Sequence, residues 1–246
     1  MHDKPTALIT GGAQRLGKAL TRTFHQLGYN IILHYNNSQQ AAANLKSELE
    51  STRENSVTLY QCDLTNTEEV IAFSEHVAAK HTCLKVLINN ASAFTPTSLT
   101  ELSSEHWDTL INSNLKAPFF LATKLKDNLA TNHGNIINMI DIHAERPMQG
   151  HCVYSIAKAG LAMATKALAQ ELAPDVRVNG IAPGAILWPS NEQDNQEKQK
   201  EILGKIALGR SGKTTDICNT ARFLAEDAPY ITGRIIAVDG GRTLNL

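Results

Sequence analysis

Short apolar runs alternate along the chain with longer stretches in which apolar residues recur every three or four positions. The runs are TALIT, NIILHY, SVTLYQ, KVLINN, GNIINMI, VRVNGIA and RIIAVDG, and the longer stretches include GKALTRTFHQLG and AKAGLAMATKALAQELA. The short runs predict strands and the longer spacing predicts amphipathic helices. Because the runs are apolar throughout, both faces of each strand should be covered, as in a parallel sheet between two helix layers. Right-handed crossovers then give a doubly wound α/β sheet. No repeat, linker or composition break divides the chain, so one domain over 1–246 is expected. The polar stretch NEQDNQEKQK at 191–200 reads as a mobile insertion near 187–205, either a solvated surface helix or a cover for a substrate site.

Composition narrows the partners. The chain carries 23 Lys and Arg against 24 Asp and Glu, so no positive field exists to hold a nucleic acid or an anionic membrane. A polar opening, MHDKP, leads directly into the first strand, and no run approaches the roughly 18 apolar residues of a membrane span, so a cytoplasmic protein is expected. Cys62, Cys83, Cys152 and Cys218 are widely spaced, without clustered His ligands. They read as reduced core thiols, with no metal site.

The sequence ALITGGAQRLGKAL places Gly11, Gly12 and Gly17 between the first strand and the first helix. A turn there lets backbone N–H groups and a helix N-terminus meet a pyrophosphate, and a β-carbon would block that approach. Packing alone is the competing explanation. In a Rossmann-type unit that prefers NAD, an acid about 20 residues further on binds the ribose 2′-hydroxyl. Here the second strand ends LHYNNS, and no Asp or Glu lies between Lys4 and Ser47. Arg15, Asn37 and Ser38 can instead donate to a 2′-phosphate, which points to NADPH. Asp63, in CDLT after the third strand, either accepts from an adenine amino group or caps the following helix.

Tyr154 and Lys158 lie one helical turn apart. An ammonium in that position favours the phenolate and would lower the tyrosine's pKa, making it a usable proton donor near neutrality. Asp141 closes an apolar strand thirteen residues earlier. A carboxylate there would repel the oxyanion of a ketone reduction, but it suits proton delivery to a ring nitrogen. Its structural alternatives are a helix cap or an ion pair with Arg146.

The glycine turn, NNAS at 89–92, SNLKAPFFL at 113–121, the Tyr/Lys helix and VRVNGIAPG at 176–184, in this order, resemble the short-chain dehydrogenase/reductase family over nearly the whole chain. The resemblance implies hydride transfer between a nicotinamide and a substrate. Tyr154 would be the proton donor, Lys158 would hold the nicotinamide ribose, and Asn114 would complete a water-linked proton relay. It further assigns Gly11, Leu16, Leu64, Asn90, Ala91, Pro183, Gly184 and Ile186 to the cofactor. For Asn114 a backbone-bonded helix interior is the plain structural reading.

Two features depart from the ordinary family pattern: T-G-x-x-x-R-x-G, with Arg15 where a glycine is usual, and Asp141 where a serine is usual. With LHYNNS and NNASAFTPTSL they are similar to the pteridine reductase branch. That similarity implies a pterin or folate substrate sandwiched between nicotinamide and Phe94, with Ser92 and Arg15 donating to its polar edge beside Asp141 and Tyr154. A phenylalanine in this place is otherwise a core residue. The expected activity is NADPH-dependent reduction of dihydropteridines, and the family implies a homotetramer. A carbonyl reductase of 3-oxoacyl thioesters and a non-catalytic NADP sensor are the alternatives.

Overall fold

The computed structural model describes residues 4–187 and 195–245. Seven strands form one parallel sheet: β1 (Thr6–Ile9), β2 (Asn30–Tyr35), β3 (Val57–Gln61), β4 (Leu84–Asn89), β5 (Asn135–Met139), β6 (Arg177–Pro183) and β7 (Ile235–Val238). Their order across the sheet is β3-β2-β1-β4-β5-β6-β7. The chain winds outward from β1 to β3, then returns to lay β4 beside β1 and winds the other way. All seven apolar runs are strands, and the architecture is the expected Rossmann-type α/β fold.

The five inner strands are buried on both faces, as continuous apolar runs require, whereas the edge strands β3 and β7 are only partly covered, because each lacks a neighbour on one side. Ala7, Ile9, Ile31 and Leu33 pack into one core layer, while Leu8, Ile32, Leu87 and Ile136 pack into the other. The first layer is closed by α1 (Arg15–Gln26), α2 (Gln39–Glu50) and, late in the chain, α9 (Thr214–Arg222), through Leu20, Phe24, Leu45 and Ile217. The second is closed by α3 (Thr67–Lys80), α5 (Ala117–Lys124) and α7 (Cys152–Glu171), through Phe73, Leu121 and Leu168.

Between α4 (Ser104–Ile111) and α5 the helix widens into a π turn over Asn112–Lys116, and α6 (Lys126–Thr131) follows α5. A buried polar chain crosses the second layer: Asn89 Nδ2 donates to Asn138 Oδ1 at 2.8 Å, Asn138 Nδ2 to Thr165 Oγ1 at 2.9 Å, and Thr165 to the Leu161 carbonyl at 2.8 Å. It ties β4 and β5 to α7.

The polar insertion falls partly outside the described residues, at 188–194; the part that follows is a helix, α8 (Gln196–Gly204). Not every thiol is in the core. Cys62 and Cys218 are buried, but Cys83 is half-buried and Cys152 is exposed in the first turn of α7. No described helix is long and apolar enough to cross a membrane.

His34, on β2, is 2% exposed, and burial pushes its pKa down to about 4 from 6.5. The unfolded chain therefore binds a proton between these values that the fold excludes. Stability should be full above pH 6.5 and fall as pH drops toward 4, by up to roughly 3 kcal/mol from this residue. Denaturant melts at pH 7 and pH 4.5 measure it, and replacing His34 with Gln should flatten the dependence.

Candidate active site

At the carboxyl ends of β1 and β4, where the direction of winding reverses, a crevice opens of the kind that binds ligands in doubly wound sheets. A cavity of about 460 Å³ lies there, lined by Gly11, Arg15, Leu16 and Gly17 from the first turn, Asp63 and Leu64 after β3, and Asn90, Ala91 and Ser92 after β4. Gly11 holds φ +62°, and its carbonyl oxygen lies 2.0 Å from where a β-carbon on residue 17 would stand. Only glycine fits at 17. Gln14 gives α1 no side-chain cap, and its first turn carries no acid. The positive end of that helix is thus left for an anion. Thr10 Oγ1 braces the opposite wall, accepting from the backbone N–H groups of Asn90 at 2.9 Å and Ala91 at 3.0 Å.

Beside this cavity the chemistry-bearing side chains converge. Tyr154, nearly buried on α7, donates to Asp141 Oδ2 at 2.8 Å, and Asp141 Oδ1 accepts from the backbone N–H of His143 at 2.9 Å. Asp141 therefore does two things at once: it caps the short 3₁₀ turn Ile142–Ala144 and holds the tyrosine hydroxyl. It makes no ion pair with Arg146. Lys158, fully withdrawn from solvent, donates to the Met139 carbonyl at 2.9 Å and lies 5.7 Å from the centre of the Tyr154 ring. Asn114 sits within the π turn, donating to the carbonyls of Ala93 and Leu110 and accepting from Ser92 Oγ at 2.6 Å. Widened turns of this kind recur where a helix must deliver a side chain inward.

The tyrosine's acidity runs opposite to the sequence expectation. Burial first, then the charge of Asp141 and the hydrogen bond to it, push its pKa well above 10. The carboxylate is in direct contact and the ammonium is not, so the hydroxyl stays protonated and is a weaker acid than a free phenol. Burial also lowers Lys158 to about 8, against the opposing charge of Asp141.

Phe94 is 45% exposed, not a core residue; its ring stacks on His151 with centres 4.6 Å apart and meets Tyr154 edge-on at 4.9 Å. Arg15, at φ +48°, reaches the carbonyl of Leu187 at 3.4 Å, linking the glycine turn to the segment after β6. Pro183 ends β6, with Gly184 and Ile186 just beyond. Asn37 and Ser38 do not line the cavity; Asn36 and His34 do. Asp63 is not a helix cap. Its carboxylate accepts from the backbone and hydroxyl of Thr65, and α3 is capped by Asn66, which accepts from the N–H groups of Glu68 and Glu69.

A family model described as enoyl-(acyl carrier protein) reductase matches residues 11–243, spanning this whole constellation. The chain belongs to the short-chain dehydrogenase/reductase family. It is similar to a 3-oxoacyl-(acyl-carrier-protein) reductase FabG of Staphylococcus aureus strain Mu50, 33% identical over 96% of this chain and 97% of the relative. A FabG of Rickettsia bellii is 35% identical over 96% of this chain and 95% of its own length. Pteridine reductase 1 of Leishmania tarentolae is 32% identical over 98% of this chain and 96% of the relative. As a short-chain oxidoreductase the protein would take NAD(P)H, and its residues fit that group: a glycine cradle that a β-carbon would fill, an open helix N-terminus, and a buried ammonium beside the tyrosine.

Two variants probe this fit. Gly17→Ala should bind NAD(P)H at least tenfold more weakly in a fluorescence titration, since the added carbon cannot coexist with the Gly11 carbonyl. Lys158→Met should also bind poorly, yet melt no lower than wild type below pH 8, because the buried ammonium costs the fold roughly 3 kcal/mol there. The cost is relieved as pH rises from 8 toward 10.5, where the folded lysine loses its proton first. The difference in Tm between the two proteins should shrink over that window.

Proposed function

We propose that the protein is an NADPH-dependent pteridine reductase, reducing dihydropteridines of the dihydrobiopterin, dihydromonapterin or dihydrofolate type to the tetrahydro form. The observation that carries this reading is the carboxylate of Asp141 in direct hydrogen bond with Tyr154. Reduction of a carbonyl builds negative charge on oxygen next to the tyrosine, and a carboxylate in that place opposes it. Reduction of a C=N bond instead requires a proton at ring nitrogen, and here the groups favour its delivery. Asp141 and the Tyr154 hydroxyl share a hydrogen bond, so the two can pass a proton toward that nitrogen as a pair. Asn114 and Ser92 lie behind the pair in one hydrogen-bonded line. Bound NADPH would supply the hydride to a pterin ring carbon.

Phe94, exposed beside Tyr154, offers an aromatic surface for a planar heterocycle, worth on the order of 1 kcal/mol beyond burial. The choice of NADPH rests on the absence of any acid at the end of β2 and on Arg15 at the cavity wall. The reading includes a homotetramer, for which exposed Phe119 on α5 and Ile156 and Met163 on α7 supply apolar contact surface. The FabG relatives favour a second reading, reduction of a 3-oxoacyl thioester.

Oxidation of NADPH with dihydrobiopterin, dihydrofolate and an acetoacetyl thioester separates the two; turnover of the thioester alone would overturn the proposal. Asp141→Ser should retain its melting temperature within a few degrees, since serine can still cap the turn, while pterin turnover falls at least tenfold. Asn36→Asp, which puts a carboxylate on the cavity wall just after β2, should lower efficiency with NADPH far more than with NADH.

A further inference from the structure

We propose that His34 is a positioning residue for the adenosine half of the dinucleotide site, fixing the distance between the pyrophosphate turn and the adenine turn. The inference rests on the dinucleotide reading above. One residue grips the two adjacent glycines of the first turn, Gly11 and Gly12. Gly11 N–H donates to His34 Nδ1 at 3.1 Å, and Gly12 N–H donates to the His34 backbone carbonyl at 3.0 Å. The other ring nitrogen, Nε2, donates to the carbonyl of Cys62 at 2.9 Å. Cys62 immediately precedes Asp63, which with Leu64 and Thr65 forms a separate part of the cavity wall, after β3.

The two bonds define each other. Because Nδ1 accepts a backbone N–H, the ring proton resides on Nε2, and only that tautomer can donate to Cys62. Phe73 packs against the ring, with centres 5.6 Å apart, and the imidazole lines the cavity while being almost wholly buried. It is therefore a rigid, neutral spacer between two loops and not a phosphate ligand. Gly11 needs such a hold. Its left-handed backbone brings the turn against Ala91, and without an acceptor its N–H would be unsatisfied and the turn free to relax.

The test compares two halves of the dinucleotide on the full-length protein. Calorimetric titration with 2′,5′-ADP reports the adenosine half, and titration with reduced nicotinamide mononucleotide reports the other. His34→Phe keeps an aromatic ring and loses both side-chain hydrogen bonds; its affinity for 2′,5′-ADP should fall about tenfold, with nicotinamide mononucleotide affinity unchanged. His34→Gln, which carries an acceptor and a donor, should recover most of the loss. In turnover the KM for the dinucleotide should rise in the Phe variant while kcat at saturation stays near wild type.

Unchanged 2′,5′-ADP binding in both variants would make His34 an ordinary core residue and overturn the proposal. Equal loss of both fragments would overturn it too, by showing general loosening. If the Phe variant does not fold, the Gln variant decides: selective weakening toward 2′,5′-ADP supports the role, and wild-type binding refutes it. A wild-type protein that binds 5′-ADP as tightly as 2′,5′-ADP would sink the NADPH assignment alone, and the His34 comparison would then be read with 5′-ADP.

Discussion

The contact on which the site depends is the approach of the Gly11 carbonyl to Gly17, so close that no side chain can stand between them. That approach folds the chain sharply from the end of β1 into α1 and leaves the helix N-terminus open at the crevice. It also presses the first turn against Asn90 and Ala91 at the end of β4, two strands that are neighbours only because the winding reverses between them. A backbone-to-backbone fit of this kind cannot be shared out among other residues, so the rest of the binding surface is arranged around it.

The catalytic groups follow a different physical logic. Lys158 and Tyr154 are both withdrawn from water, which disfavours the ammonium and the phenolate alike. Asp141 offsets this penalty for the lysine and adds to it for the tyrosine. One carboxylate thus acts on both partners, adding to burial in keeping the phenol intact and opposing burial in helping the amine to stay charged. A serine in the same place would provide a hydrogen bond without a field.

Much of this was legible from the chain. The five inner strands were legible because continuous burial leaves a pattern that needs no tertiary information to read, and the edge strands β3 and β7 because their runs share the same spacing between helices. The glycine turn and the Tyr/Lys spacing were legible for the same reason: each is a local geometry. What could not be read depends on distances between segments. The upward displacement of the Tyr154 pKa follows from burial first and then from Asp141 lying in contact, neither of which spacing along the chain reveals. That Asn36 and His34, rather than Asn37 and Ser38, reach the cavity turns on the register of one turn. The cap of α3 was within reach, since Asn66 is followed three residues later by Glu69, whose carboxylate accepts from the Asn66 side chain and the Asp63 backbone.

The buried line from Asn89 through Asn138 to Thr165 bears on how the site comes apart. It joins the strand that leads to Asn90, the strand that leads to Asp141, and the helix that carries Tyr154 and Lys158. Sliding any one of these past the others would leave amide groups unpaired in the core, at a cost of about 1 to 3 kcal/mol for each. The three elements therefore make a single mechanical unit. Thermal fluctuation can loosen the rim of the crevice residue by residue, but the proton-handling centre is either assembled or absent.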